Sequence, residues 1–127
     1  MEKLLPIFLS VLLMAGCAAP AANKSYRQIS GEEAAVMMEV ETGYIILDVR
    51  TAHEFQEGHI PGAVNIPNET IETAEIPELP DKDQLILVYC RSGNRSKQAS
   101  EKLAMLGYTN IVEFGGISDW TGETVSG

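Results

Sequence analysis

The segment Cys90-Arg91-Ser92-Gly93-Asn94-Arg95-Ser96 sets a thiol beside two guanidinium groups, two hydroxyls and a glycine. The apolar run before it, Leu85 to Tyr89, predicts a buried strand. The residues after it, Ser96 to Leu106, predict an amphipathic helix whose stripe is Ala99, Leu103 and Leu106. A thiol at such a crossover can lie in a cradle of backbone N–H groups that favours the nucleophilic thiolate. The alternative is a buried structural thiol, which leaves Arg91, Gly93 and Arg95 without a reason. Gly93 permits backbone angles that a tight cradle needs. Ser92 and Ser96 can donate hydrogen bonds to the sulfur or its substrate. Ser96 serves equally well as the N-cap of the following helix.

The elements that would position this loop alternate along the chain. Ser30-Gly31-Glu32-Glu33 is a capping box that opens a helix running to Val40. Tyr44 to Val49 is a strand with apolar residues on both faces. Thr51-Ala52-His53-Glu54 is a second capping box, for a short helix that stops at Gly58. Ala63 to Ile66 is a short strand bounded by Pro67, and Asn68 is placed to cap a short helix through Ile71. Gly107 fits the left-handed position that ends the long helix. Asn110 to Phe114 is a last strand, and Gly115-Gly116 reads as a turn. Strands separated by helices imply right-handed crossovers and an α/β fold, a parallel sheet covered on both faces. Ligands of such sheets bind beyond the carboxyl ends of the strands, where Cys90, Asp48 and Arg50 all lie.

The first residues do not read as part of this fold. Lys3, an apolar run from Leu4 to Met14, and the small pair Ala15-Gly16 form a secretory signal pattern over residues 1–16. Met14-Ala15-Gly16-Cys17 resembles a bacterial lipobox, which implies acylation of Cys17. Residues 17–25 then form a tether and residues 26–127 the domain. The expected location is outside the cytoplasm, lipid-anchored to the cell membrane, or to an outer membrane if there is one. With Cys17 lipidated, Cys90 lacks a disulfide partner, which in an oxidising compartment points to a reactive thiol. The net charge of −9 makes nucleic acid and anionic membrane surfaces poor partners, so contact with a membrane is expected through the lipid anchor only. Zinc-type Cys/His spacing is absent from the sequence, and no metal or cofactor is expected.

Four segments, in order, resemble the single-domain rhodaneses, a sulfurtransferase family. They are Leu47 to Arg50 with Glu54-Phe55, Glu57 to Pro67, Val88 to Ser96, and Gly115 to Trp120. The resemblance spans about residues 26 to 122 and implies a three-layer α/β/α domain with a five-stranded parallel sheet. It also implies a Cys90 that cycles between thiol and persulfide. A sulfane donor such as thiosulfate supplies sulfur, and a thiophilic acceptor, cyanide or a protein thiol, removes it. Arg91 and Arg95 would assist a dianionic donor, Arg95 being the one expected to point inward. Ser92, Gly93, Asn94 and Ser96 would complete the substrate loop. Asp48 and Arg50 would support it, as an ion pair or by holding loop backbone. His59 would stabilise the turn before Pro61-Gly62 rather than act as a base. Trp120 would pack on the sheet rim. Phosphatases and arsenate reductases of the same fold carry one residue more between cysteine and arginine than the four here, Arg91 to Asn94. A non-enzymatic docking module of the same family is the other alternative; such modules often lack the cysteine.

Overall fold

The computed structural model describes residues 25–72 and 75–127. The leader and Cys17 lie outside the described residues. Five parallel strands form one sheet: β1 (Tyr26–Gln28), β2 (Ile45–Asp48), β3 (Val64–Asn65), β4 (Ile86–Cys90) and β5 (Ile111–Gly116), in the order β1-β5-β4-β2-β3. The central strand β4 is buried along its whole length. Its apolar run suits a strand with both faces covered.

Side chains alternate between two cores. On one face Leu47, Val49, Val88 and Cys90 meet Ala99 and Leu103 of the helix α3 (Asn94–Met105), with Ile71 and Leu79 from the long connection. On the other, Ile46, Leu87, Tyr89 and Phe114 meet Ala34 of α1 (Gly31–Val40), together with Ile60 and the half-buried Trp120. Full burial of a residue such as Leu103 contributes about 1.5–3 kcal/mol. The α3 stripe is therefore a main anchor of the loop that precedes it.

Both capping boxes are formed, Ser30 with Glu33 on α1 and Thr51 with Glu54 on α2 (Ala52–Glu57). At the end of α3, Gly107 N–H bonds to Ala104 O at 3.0 Å and Tyr108 N–H to Leu103 O at 3.1 Å. Together these bonds satisfy two of the helix's last carbonyls.

Three local expectations differ from the structure, and one strand carries no local signal. Strand β1 gives no periodic signal because it is three mostly exposed residues on an edge, held by pairing with β5. The short helix after Pro67 is a single 3-10 turn, Asn68–Thr70, and Asn68 does not cap it. Its amide donates to Gln98 Oε1 at 2.9 Å and its oxygen accepts from Lys102 Nζ at 3.1 Å, stitching the connection to α3. Gly115-Gly116 is no turn but the end of β5. There the register slips, so that Val88 faces Glu113 while Cys90 faces Gly116. One extra residue on β5 bends the strand end, as a bulge does. Finally, α3 begins at Asn94 with Gly93 as its N-cap, so Ser96 is an interior residue and not a cap.

Candidate active site

Cys90 is the last residue of β4 and is 1% exposed. Arg91, Ser92 and Gly93 turn the chain, and α3 then runs away from the sulfur. The positive end of the helix dipole therefore faces Sγ. Gly93 N–H donates to Sγ at 3.0 Å. Gly93 has φ +110°, in the left-handed region that side chains disfavour. That angle redirects the chain from the loop into α3. Ser96, fully buried, lies with Oγ 3.4 Å from Sγ and donates to the carboxylate of Glu113. Ser92 and Asn94 are exposed on the outer side of the loop.

The arginines are arranged differently from the sequence expectation. Arg95 Nη1 and Nη2 donate to Glu54 Oε1 and Oε2 at 2.8 and 3.1 Å. The Arg91 side chain is largely exposed, 3.7 Å from the same carboxylate. Arg95 thus points toward α2 and is paired, although its charge still senses Cys90. Glu54 also accepts from Thr51 N–H at 3.0 Å. The Arg95 hydrogen bonds, with those from Thr51, outweigh burial and hold this carboxyl at about 2, well below the usual carboxylate range. The second capping box therefore also clamps the arginine of the Cys90 loop, a role its local signature conceals.

Asp48 and Arg50 form a buried ion pair, Nη2 to Oδ2 at 2.7 Å, and Arg50 also donates to Gly58 O at 2.7 Å. They end β2 on the face of Tyr89, opposite the face of Cys90. The guanidinium sits 5.7 Å from the Tyr89 ring centroid, and Ile60 N–H donates to the Tyr89 hydroxyl at 3.1 Å. Burial, then the neighbouring Asp48, push the phenol well above its ordinary value. His59 stacks on Phe55 with centroids 3.7 Å apart, and its Nδ1 lies 2.8 Å from Phe55 O. Its backbone pairs with Val125. Trp120 packs at 5.9 Å from Phe114.

Two further residues shape the site. Ser118 donates to Arg91 O from both N–H and Oγ, at 3.1 and 2.9 Å, fixing the first peptide of the loop. Glu113 is buried beneath the loop at 2% exposure. Its signal was available: a charge at an inward position of an otherwise apolar strand.

The same register slip brings Gly116 against the loop. A Cβ there would lie 2.0 Å from Arg91 O and 2.6 Å from Ser92 Cα. Gly116→Ala must therefore displace the loop backbone. Overpacking of this kind costs about 1–3 kcal/mol. At about 4–8 °C per kcal/mol, calorimetry should show the Tm falling by roughly 5–20 °C. An unshifted Tm would mean that the loop yields freely.

A parallel α/β domain with a buried thiol at the strand-to-helix junction, held by the Gly93 N–H, defines the class. The rhodanese-like domain family matches residues 30–123, and the chain belongs to that family. Thiosulfate sulfurtransferase PspE of Escherichia coli K12 is 37% identical over 81 residues, 64% of this chain and 78% of its own length. Thiosulfate sulfurtransferase GlpE of Pseudomonas savastanoi pv. phaseolicola is 33% identical over 107 residues, 80% of this chain and 97% of its own. A solved E. coli rhodanese with anions superposes with a TM-score of 0.61 at 36% identity, covering 66% of this chain and 99% of that one.

Proposed function

We propose that the protein is a thiosulfate sulfurtransferase working through a Cys90 persulfide. The observation that carries this reading is the Gly93 N–H on Sγ at 3.0 Å, at the start of α3. The thiolate attacks the outer sulfur of thiosulfate. The new S–S bond forms as the old one breaks, and sulfite leaves with the electron pair. A thiophile such as cyanide, or a protein thiol, then takes the outer sulfur and returns the thiolate. Because Glu54 already occupies Arg95, the donor dianion meets the N–H groups, the exposed Arg91 and the remaining field of Arg95 rather than a free pair of guanidiniums.

Thiosulfate and cyanide should yield thiocyanate, and aryl phosphates should be hydrolysed at no useful rate. The four residues between Cys90 and Arg95 support this over the phosphatase alternative. Phosphate release that disappears in Cys90→Ser, without thiocyanate, would move the assignment to the phosphatases.

We further propose that the domain works outside the cytoplasm on a lipid at Cys17. Mature protein should begin at Cys17, incorporate labelled fatty acid and partition into detergent. Protein recovered from the cytosol with Met1 attached would end this proposal.

A further inference from the structure

Sulfur transfer as described leaves Glu113 without a task, yet burying a carboxylate is costly unless it is well bonded. Glu113 accepts from Ser96 Oγ, from Gly115 N–H at 2.9 Å and from Gln28 Nε2 at 3.3 Å. Ser96 Oγ lies 3.4 Å from Cys90 Sγ. Thiol, hydroxyl and carboxylate thus form one buried file, with exposures of 1%, 0% and 2%.

We propose that Glu113 is a positioning residue that receives the Cys90 proton through Ser96. The proposal rests on Cys90 as the nucleophile. The S–H proton passes to Ser96 Oγ while the Ser96 hydroxyl proton passes to Glu113 Oε2. The products are a thiolate, an intact serine hydroxyl and a neutral carboxylic acid. No net charge is created. Negative charge moves from Glu113 to the sulfur, where Gly93 N–H and the start of α3 face it. An ionised Glu113 beside a thiolate would instead hold two like charges in one enclosed site. Among the described residues, the other charged or titratable groups around the file include Tyr26 on β1, Arg95 and Glu101 on α3, Arg91 in the loop, Glu54 on α2 and Glu69 after β3. Tyr26 is raised by burial first, then by Glu101 and Glu113. Arg95 and Arg91 face Glu54, so neither is paired with Glu113.

The test uses the full chain and iodoacetamide, a neutral probe of the thiolate, at pH 7, with the modified Cys90 peptide quantified by mass. Glu113→Gln keeps the shape but takes no proton, and should slow alkylation about a hundredfold or more. Ser96→Ala should slow it similarly, and the double variant no further, since both act in one chain. Infrared spectra supply a readout that packing alone does not move. At neutral pH the unmodified protein should show the C=O stretch of a buried carboxylic acid. That band should be missing from Glu113→Gln and from Cys90→Ser, which has no acidic proton to give. The comparison with Cys90→Ser holds even if Glu113→Gln does not fold. Unchanged or faster alkylation in a folded Glu113→Gln, or no such band in the unmodified protein, overturns the proposal. Sulfur uptake from thiosulfate is measured on the same samples. Its failure alongside intact alkylation and infrared results would refute the sulfurtransferase reading and leave the proton path standing.

Discussion

Cys90→Ser should gain no mass from thiosulfate, whereas the unmodified chain should gain one sulfur, about 32 Da, and lose it to cyanide. The reason is chemical. A serine hydroxyl at the same place is a far weaker nucleophile, and nothing around it forms an alkoxide. Oγ would still receive the Gly93 N–H, so the fold should survive and the loss should be one of chemistry. Thiocyanate production should fall to the level of a reaction without protein. Intact mass and a thiocyanate assay read both effects. Retained turnover in Cys90→Ser would show that sulfur travels by another group, and would remove Cys90 from the mechanism.

Asp48→Ala should produce the largest loss of stability. Arg50 is 4% exposed, and without Asp48 its guanidinium keeps, among the described residues, only its hydrogen bond to Gly58 O. Breaking one partner of a buried pair costs about 3–5 kcal/mol, because the other charge stays behind unpaired. At about 4–8 °C per kcal/mol the Tm should drop by roughly 12–40 °C, or the chain should fail to accumulate folded. Asp48→Asn should lose less, since an amide oxygen can still accept from Arg50 N–H, which bonds Oδ1 at 2.9 Å. Below its melting range the folded variant should alkylate at Cys90 within about twofold of the unmodified protein, because the pair lies on the other face of the sheet. A Tm shift of a few degrees would show that water or a neighbour replaces the aspartate. A large change in Cys90 reactivity at full folding would give the pair a part in the chemistry.

Much of the scaffold was legible because its signals are local. The capping boxes at Ser30 and Thr51, the α3 stripe and the apolar run of β4 each lie within a few residues, where backbone and side-chain preferences act directly. Ser96 shows how a local signal misleads. A serine near a helix start is a good cap, but the glycine before Asn94 starts the helix earlier and turns the hydroxyl into the core. Asn68 fails for a related reason: Pro67 opens its short turn, which frees the amide for Gln98.

The sequence by itself determined the thiol at the strand-to-helix junction, the short loop to Arg95, the capped helices and the α/β alternation that puts them at one edge. Tertiary structure alone decided what meets that loop. Glu54 grips Arg95 across 41 residues of chain, Ser118 fixes Arg91 across 27, and Glu113 reaches Ser96 across 17. Such partners carry no joint periodicity or spacing. They come together only when β5 is inserted beside β4 and α2 is folded over the loop. A carboxylate that looks like a helix cap, or a stray charge in a strand, acquires its electrostatic role at that point.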